Sequence, residues 1–462
     1  MTTTLDLDDI QGLLARGYGT LLHATFLLLG IEDASAARRW LSGWADRLTT
    51  AEQRPGDSAV NIALTSAGVS ALSGRPVPAG FSEQYVSGMT TAYRSRLLGD
   101  QGDDDPTGWR WGGPASAPVH VLVMLYGKTP ELLSERVRVL LEDAEAHRMT
   151  LVRQLETATL GRNEPFGFHD GISQPPVEGV GKGGAPGQVR AGEFVLGYPN
   201  EHGQLTERPL LPTAEDPRSI LPRDKASRLA DLGRNGSYLV FRELMQDVDG
   251  FWSYAEEATR RPDGRPDVAA KTMLAAKMVG RWPSGAPLAL APEADDPTLA
   301  DENAFGYHHT DQVGLACPLG SHVRRVNPRD ALEPRPGTDQ SLAINRRHRL
   351  LRRGRAFGPA TSGGDRGLYF IALNANLARQ YEFVQHSWVN NPTFNGLQDE
   401  PDPLVGARSA KGTHFTTPAR PVRRRYADLP QFVHVRGGAY FFLPGIRALR
   451  FLAEDQPSRG RG

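Results

Sequence analysis

The strongest constraint on this chain is a recurring order of short apolar strands and amphipathic helices. Leu21–Ile31 (LLHATFLLLGI) is a continuous apolar run. It is far short of the roughly 20 residues that a membrane span needs, and it reads as a buried strand. Asp33 and Ser35 follow as capping types, and then Ala36–Leu48, where Trp40 and Trp44 fall on one side of a helix. Asn61–Leu64 reads as a strand, Ser66–Leu72 as a helix and His120–Tyr126 (HVLVMLY) as a strand. Thr129 opens a helix to about Ala144, with Glu131 at its favourable N-terminal end. The second half has the same kinds of element: a strand at Tyr238–Arg242, a helix through Trp252 and Tyr254, and a strand at Leu368–Leu373. A helix over Leu377–Trp388 then carries Tyr381, Val384, Gln385 and Trp388 at spacings of three and four, and Ala439–Leu443 is a strand after a turn at Gly437-Gly438. This alternation predicts an α+β sandwich. The similar order in both halves hints at a duplicated unit, although no sequence repeat proves it.

A chain of 462 residues is too long for one compact core. We place two domains at 1–225 and 226–462. Between the two sets of elements, Glu164–Gly203 is rich in Gly and Pro, and so long a loop is usually functional or a linker. Lys plus Arg equals Asp plus Glu at 53 each, so no global field draws in nucleic acid or an anionic membrane. The single cysteine, Cys317, excludes an intrachain disulfide. Met1–Asp9 carries acids and no Lys or Arg, unlike a secretory or twin-arginine signal. The expectation is a soluble cytoplasmic protein with a frayed tail at Gln456–Gly462.

Three segments can carry chemistry. In Gly167-Phe168-His169-Asp170-Gly171 the glycines permit tight backbone approach, so Asp170 can face a cavity, or can simply close an Asx-turn on its own backbone. In Cys317–Arg329, His322 can offer a neutral imidazole to haem iron, with Arg324 and Arg329 placed to neutralise haem propionates. His322 read alone is equally a satisfied structural histidine, and Cys317 is a rival thiolate ligand. Arg346–Gly358 holds six arginines in ten residues. No aromatic row interleaves them, as a single-strand nucleic-acid platform requires. Most read as solvated or paired with acids such as Asp330 and Glu333, while one, ahead of the bend at Gly354, can point inward. His308-His309-Thr310-Asp311 lacks the spacing of a metal site, and there is no P-loop or nucleophile elbow.

Together these segments resemble the dye-decolorising peroxidase family, in its larger bacterial and fungal-type branch. Gly167–Gly171 matches its GxxDG signature, Cys317–Arg329 is similar to its proximal-histidine segment, and Leu350–Gly358 is similar to its distal-arginine segment. Asp9–Gly12, Gly192–Pro199, Asn235–Val248, Ala275–Pro287, Leu373–Pro392 and Gly437–Pro444 extend the likeness over nearly the whole chain. The resemblance implies two ferredoxin-like α+β domains with antiparallel sheets and one haem b per chain in the cleft between them. It implies His322 as iron ligand, its other ring nitrogen donating to an acceptor that the sequence does not identify. Asp170 and Arg352 become the catalytic pair, with Arg353 adjacent to the latter. Gly171, Ile172, Ser173, Gln174, Arg324 and Arg329 contact the cofactor, and Leu368 and Phe370 wall the distal pocket.

The implied activity is reduction of hydrogen peroxide through a high-valent iron species, with a small-molecule donor of dye or phenol type. A haem carrier or sensor on the same fold is the alternative. One departure is Phe357, where some relatives have an oxidisable tyrosine. Oxidation of bulky donors at the surface must then use another residue, such as Trp388.

Overall fold

The computed structural model of the protein describes residues 4–181, 185–360, 363–408 and 413–454, so the Gln456–Gly462 tail lies outside the described residues. In the first half, β1 (His23–Ile31), α1 (Ala34–Ala45), β2 (Ser58–Leu64), β3 (Val121–Gly127), α2 (Pro130–Ala146) and β4 (Met149–Glu156) follow one another, with the strands in the order β4-β1-β3-β2. In the second half, β5 (Ser237–Gln246), β6 (Leu351–Arg352), β7 (Arg355–Phe357), β8 (Gly367–Asn374) and β9 (Val433–Leu443) repeat that arrangement. Strand β9 lies outside β5, β5 beside β8, and the short β6 and β7 on the far side of β8. With β6 and β7 taken together as one interrupted edge strand, each half has its first strand between its third and fourth, all antiparallel, as in a ferredoxin-like unit. The duplication absent from the sequence is present in the topology. The two sheets are joined edge to edge where Leu64 of β2 pairs with Phe442 of β9.

Burial on both faces explains why β1 is a continuous apolar run rather than an alternating one. Leu27 and Leu29 pack with Trp40, Leu41 and Trp44 of α1, and Phe26 and Leu28 pack on the opposite face with Leu13, Tyr126 and Phe241. Asp33 caps α1 by accepting Ala36 N–H at 2.7 Å, and Thr129 caps α2 by accepting Leu132 N–H at 3.3 Å.

The structure corrects the sequence reading in three places. Gly437-Gly438 is no turn: β9 runs through it with a bulge, because a Cβ on Gly437 would lie 2.3 Å from Trp111 Nε1. Strand β5 extends past Arg242 to Gln246, since Glu243 is buried as acceptor of the Trp111 indole N–H at 2.7 Å. The helix at Leu377–Trp388 is wound wide, as π-helix over Ala378–Glu382 and Val384–Val389. This winding brings Tyr381, Val384 and Gln385 to one cavity.

Candidate active site

A cavity of about 900 Å³ opens where loops of the first half meet the β5–β8–β9 face of the second. Arg242, Leu244 and Gln246 project into it from β5, Leu368 and Phe370 from β8, and Val433 and Val435 from β9. Asp170 and Gly171–Gln174 line it from the Gly-rich middle segment. Two glycines in left-handed backbone, Gly167 at φ +97 and Gly171 at φ +81, let that segment double back. Asp170 N–H donates to Arg162 O at 2.9 Å, and Asp170 Oδ1 accepts Gly171 N–H at 2.6 Å. Asp170 therefore lines the cavity, and its side chain bonds the adjacent Gly171 N–H rather than closing an Asx-turn two residues on.

His322 enters the same cavity from the first residue of a short helix, His322–Val326. Its Nδ1 lies 2.9 Å from Asp402 Oδ2. Burial would raise the Asp402 carboxyl, but the His322 ring, Arg325 and the Val405 N–H outweigh it and hold the group below the usual range. An ionised Asp402 makes Nδ1 the ring's N–H donor, which leaves Nε2 as a bare donor atom. Cys317, the rival ligand, is fully buried among Trp282, Leu288 and Tyr307, away from the cavity lining. Burial also pushes its thiol up, away from the thiolate form.

No family model matches the chain. A dye-decolorizing peroxidase of Mycena epipterygia is 30% identical across 97% of this chain and 87% of that protein. This chain belongs to the dye-decolorizing peroxidase family. A multifunctional dye peroxidase of an Amycolatopsis strain is 29% identical across 93% of this chain and 92% of its own length. A solved dye-decolorizing peroxidase in complex with 2,6-dimethoxyphenol matches with a TM-score of 0.78 and 26% identity, over 97% of this chain and 100% of that one. The chain is accordingly a haem-dependent peroxidase and not a carrier or sensor.

The charges on the cavity wall fit the haem of a dye-decolorizing peroxidase. Arg281, Arg349 and Arg352 line the cavity, and none of them has an ion pair among the described residues. Burial, then Arg329 and Arg352, depresses Arg349 to about 9. Burial and Arg329 likewise depress Arg281 to about 10. Buried cations without counter-ions are costly, and a cofactor bearing two carboxylates relieves that cost.

Two arginines expected from sequence at the cofactor, Arg324 and Arg329, do not line the cavity. Arg324 is consumed by Asp311 Oδ2 at 3.0 Å and Cys317 O at 2.7 Å, outside the cavity lining. Arg329 donates to Asn303 O, Phe305 O and Asn303 Oδ1, and it too stays outside the lining. Nor is the arginine run mostly solvated or acid-paired. Arg346 pairs with Glu201, but Arg353 donates to Leu13 O at 2.7 Å and Leu14 O at 2.9 Å, and Arg355 donates to Gly17, Tyr18 and Leu21 carbonyls.

Arg352 stands apart from its neighbours. Its backbone N–H donates to Gln174 Oε1 at 2.9 Å, while its guanidinium has no hydrogen bond among the described residues. Trp388 is 5% exposed and packed on His348 and Phe383, so it is no surface oxidant. Phe357 stacks on buried Tyr369 with centroids 4.5 Å apart. No helix among the described residues is long and apolar enough to cross a membrane.

Proposed function

We propose that this peroxidase holds one haem b per chain on His322 Nε2 and works on hydrogen peroxide with Asp170 and Arg352. The observation that carries this reading is the convergence of His322, Asp170 and an unpaired Arg352 on one cavity. Arg349 would hold a haem propionate by a charge-assisted bond, while Arg281, whose guanidinium already donates to Gly285 O, Glu302 O and Asn303 Oδ1, would add its positive charge. When bound, haem supplies the two-electron chemistry that splits the peroxide O–O bond. Asp170 takes the proton from one peroxide oxygen and delivers it to the other, which leaves as water. Arg352 offsets the negative charge that develops as the proton moves. Leu368 and Phe370 keep the pocket small enough to favour peroxide over bulky reactants. Asp402 fixes the His322 ring and enriches it in electron density.

For the donor we propose a phenol-type small molecule, the class bound by the solved relative. The replacement of an oxidisable ring by Phe357 removes one route to donors held at the surface.

The test is stopped-flow mixing of the haem-loaded protein with peroxide. Asp170→Asn should keep the parent Soret band and slow the reaction by roughly 10² to 10⁴, the range of general acid–base catalysis. A parental rate in that variant would remove Asp170 from the role.

A further inference from the structure

Glu164 lies six residues before Asp170, lines the same cavity and takes no part in the proton transfer above. Its carboxylate ties the turn from within. Oε2 accepts Phe166 N–H at 3.0 Å and Oε1 accepts Phe168 N–H at 3.0 Å. Oε2 also accepts from Gln246 Nε2 at 2.8 Å, and Gln246 is the last residue of β5. One side chain therefore fastens the loop to itself and to the end of a sheet strand. The backbone bonds of the turn, Glu164 N–H to Phe168 O at 2.9 Å and Gly167 N–H to Glu164 O at 2.8 Å, close around it. With the turn closed, Phe166 packs on Phe251 at 4.7 Å and Phe168 stacks on Trp252 at 6.1 Å. Asp170 follows two residues later.

We propose that Glu164 is the positioning residue of the Asp170 loop, the fastening that sets where the Asp170 carboxylate points when peroxide arrives. The proposal rests on the reading of Asp170 given above.

Its chemistry makes the fastening sensitive to pH. Burial pushes the Glu164 carboxyl up to about 7, the Gln246, Phe166 and Phe168 donors pull it back, and the charge of Asp170 on the same loop adds to the rise. From β5 it faces the neutral Gln246, and Arg366, whose carbonyl accepts the Gln246 N–H, is itself paired with Asp249. When ionised, Glu164 accepts three charge-assisted bonds. When protonated, its O–H needs an acceptor, and Gln246 Oε1, which has no partner in the present amide orientation, supplies one after a flip. The loop is held in both states, more tightly in the protonated one, because burial makes the closed loop favour the neutral carboxyl.

The test reads the loop without the cofactor as well as with it. Hydrogen exchange of the Phe166 and Phe168 amides is measured from pH 6 to 8 in haem-free and haem-loaded protein, for the parent, Glu164→Ala and Glu164→Gln. Glu164→Ala should speed exchange at both amides by about tenfold or more, the loss of a bond to a charged acceptor. It should also slow the peroxide reaction while the Soret band is unchanged. Glu164→Gln keeps one acceptor oxygen, so it should retain only one of the Phe166 and Phe168 bonds, and it should lose the pH dependence of protection seen in the parent. If Glu164→Ala does not fold, this flattening alone decides the matter. Parental protection in Glu164→Ala overturns the proposal, and so does a parental pH dependence in Glu164→Gln. A loosened loop with an unchanged peroxide rate also overturns it when Asp170→Asn is slow. If Asp170→Asn is as fast as the parent, the reading of Asp170 falls first and this proposal falls with it.

Discussion

His322 Nδ1 lies 2.9 Å from Asp402 Oδ2, and the Asp402 side chain is wholly shielded from solvent. Asp402 Oδ1 accepts the Leu404 and Val405 N–H groups at 2.9 and 3.0 Å, so the carboxylate is fixed before the ring meets it. A histidine oriented in this way presents one nitrogen to the cavity and draws electron density from the carboxylate behind it. Asp402→Asn removes the charge and keeps the shape. Haem titration should show an affinity about 10- to 100-fold lower, the usual scale for loss of such a partner. The ferric/ferrous midpoint potential should rise, because the ring is less electron-rich. If both stay at parental values, the pair has no influence on the ligand.

Arg352 and Arg353 are neighbours with opposite employment, one guanidinium unbonded at the cavity and the other spent on the Leu13 and Leu14 carbonyls. Arg352→Leu should slow the reaction with peroxide by roughly 10² to 10³, typical of a lost charge stabiliser, with little change in stability. Arg353→Leu should do the reverse. Its rate should stay near the parent while urea unfolding reveals a loss of about 1–3 kcal/mol from stranded buried acceptors. The opposite pattern would exchange the two roles.

Most of the architecture was legible because its elements are long and strongly patterned. The apolar runs of β1, β3 and β8 and the tryptophan spacing of α1 announce themselves. Edge strand β4 (MTLVRQLE) does not, because its partly solvated side chains dilute the apolar signal. At the site, the GxxDG motif marks Asp170, but nothing in the run Gln398-Asp399-Glu400-Pro401-Asp402 singles out Asp402 as the partner of a histidine 80 residues away. Arg324 and Arg329 fall outside the cavity lining for a related reason. Proximity to His322 in sequence places an arginine near it, but which face of the backbone it leaves from is set by Asp311 and Asn303, contacts that sequence does not display. Glu164 carries no sequence signal beyond its nearness to Asp170.

Arg349 offers a test of how the cavity's charge is used. Its Nη2 donates to Ser173 O at 2.8 Å, and burial together with Arg329 and Arg352 depresses it to about 9. Arg349→Met relieves that crowding of cations, so the haem-free protein should unfold at a higher urea concentration than the parent. The same change should weaken haem binding by about tenfold or more, the value of one charge-assisted bond. Haem binding at parental strength would mean that the propionates are held by other groups.

Glu193 predicts how stability follows pH. Its side chain is fully buried, with Oε2 accepting from Arg379 Nη2 at 2.7 Å and Oε1 accepting Glu201 N–H at 2.9 Å. Burial dominates and pushes the carboxyl from 4.5 up to about 7, although Arg379 and the Glu201 N–H pull against it. Between these two values the folded chain keeps a proton that the unfolded chain has released, so the folded state is favoured at the acidic end. The contribution is complete below pH 4.5 and is lost as pH rises through about 7. It amounts to a few kcal/mol at most. Glu164 acts in the same direction, whereas Asp402, held below 3.8, acts in the opposite sense only in stronger acid. Urea midpoints of the haem-free protein should therefore fall from pH 5 to pH 8. Glu193→Gln has no proton to lose, and its midpoint should fall less over the same range. A variant whose midpoints follow the parent at every pH would show that Glu193 is already ionised in the folded protein at pH 5, with Arg379 outweighing burial.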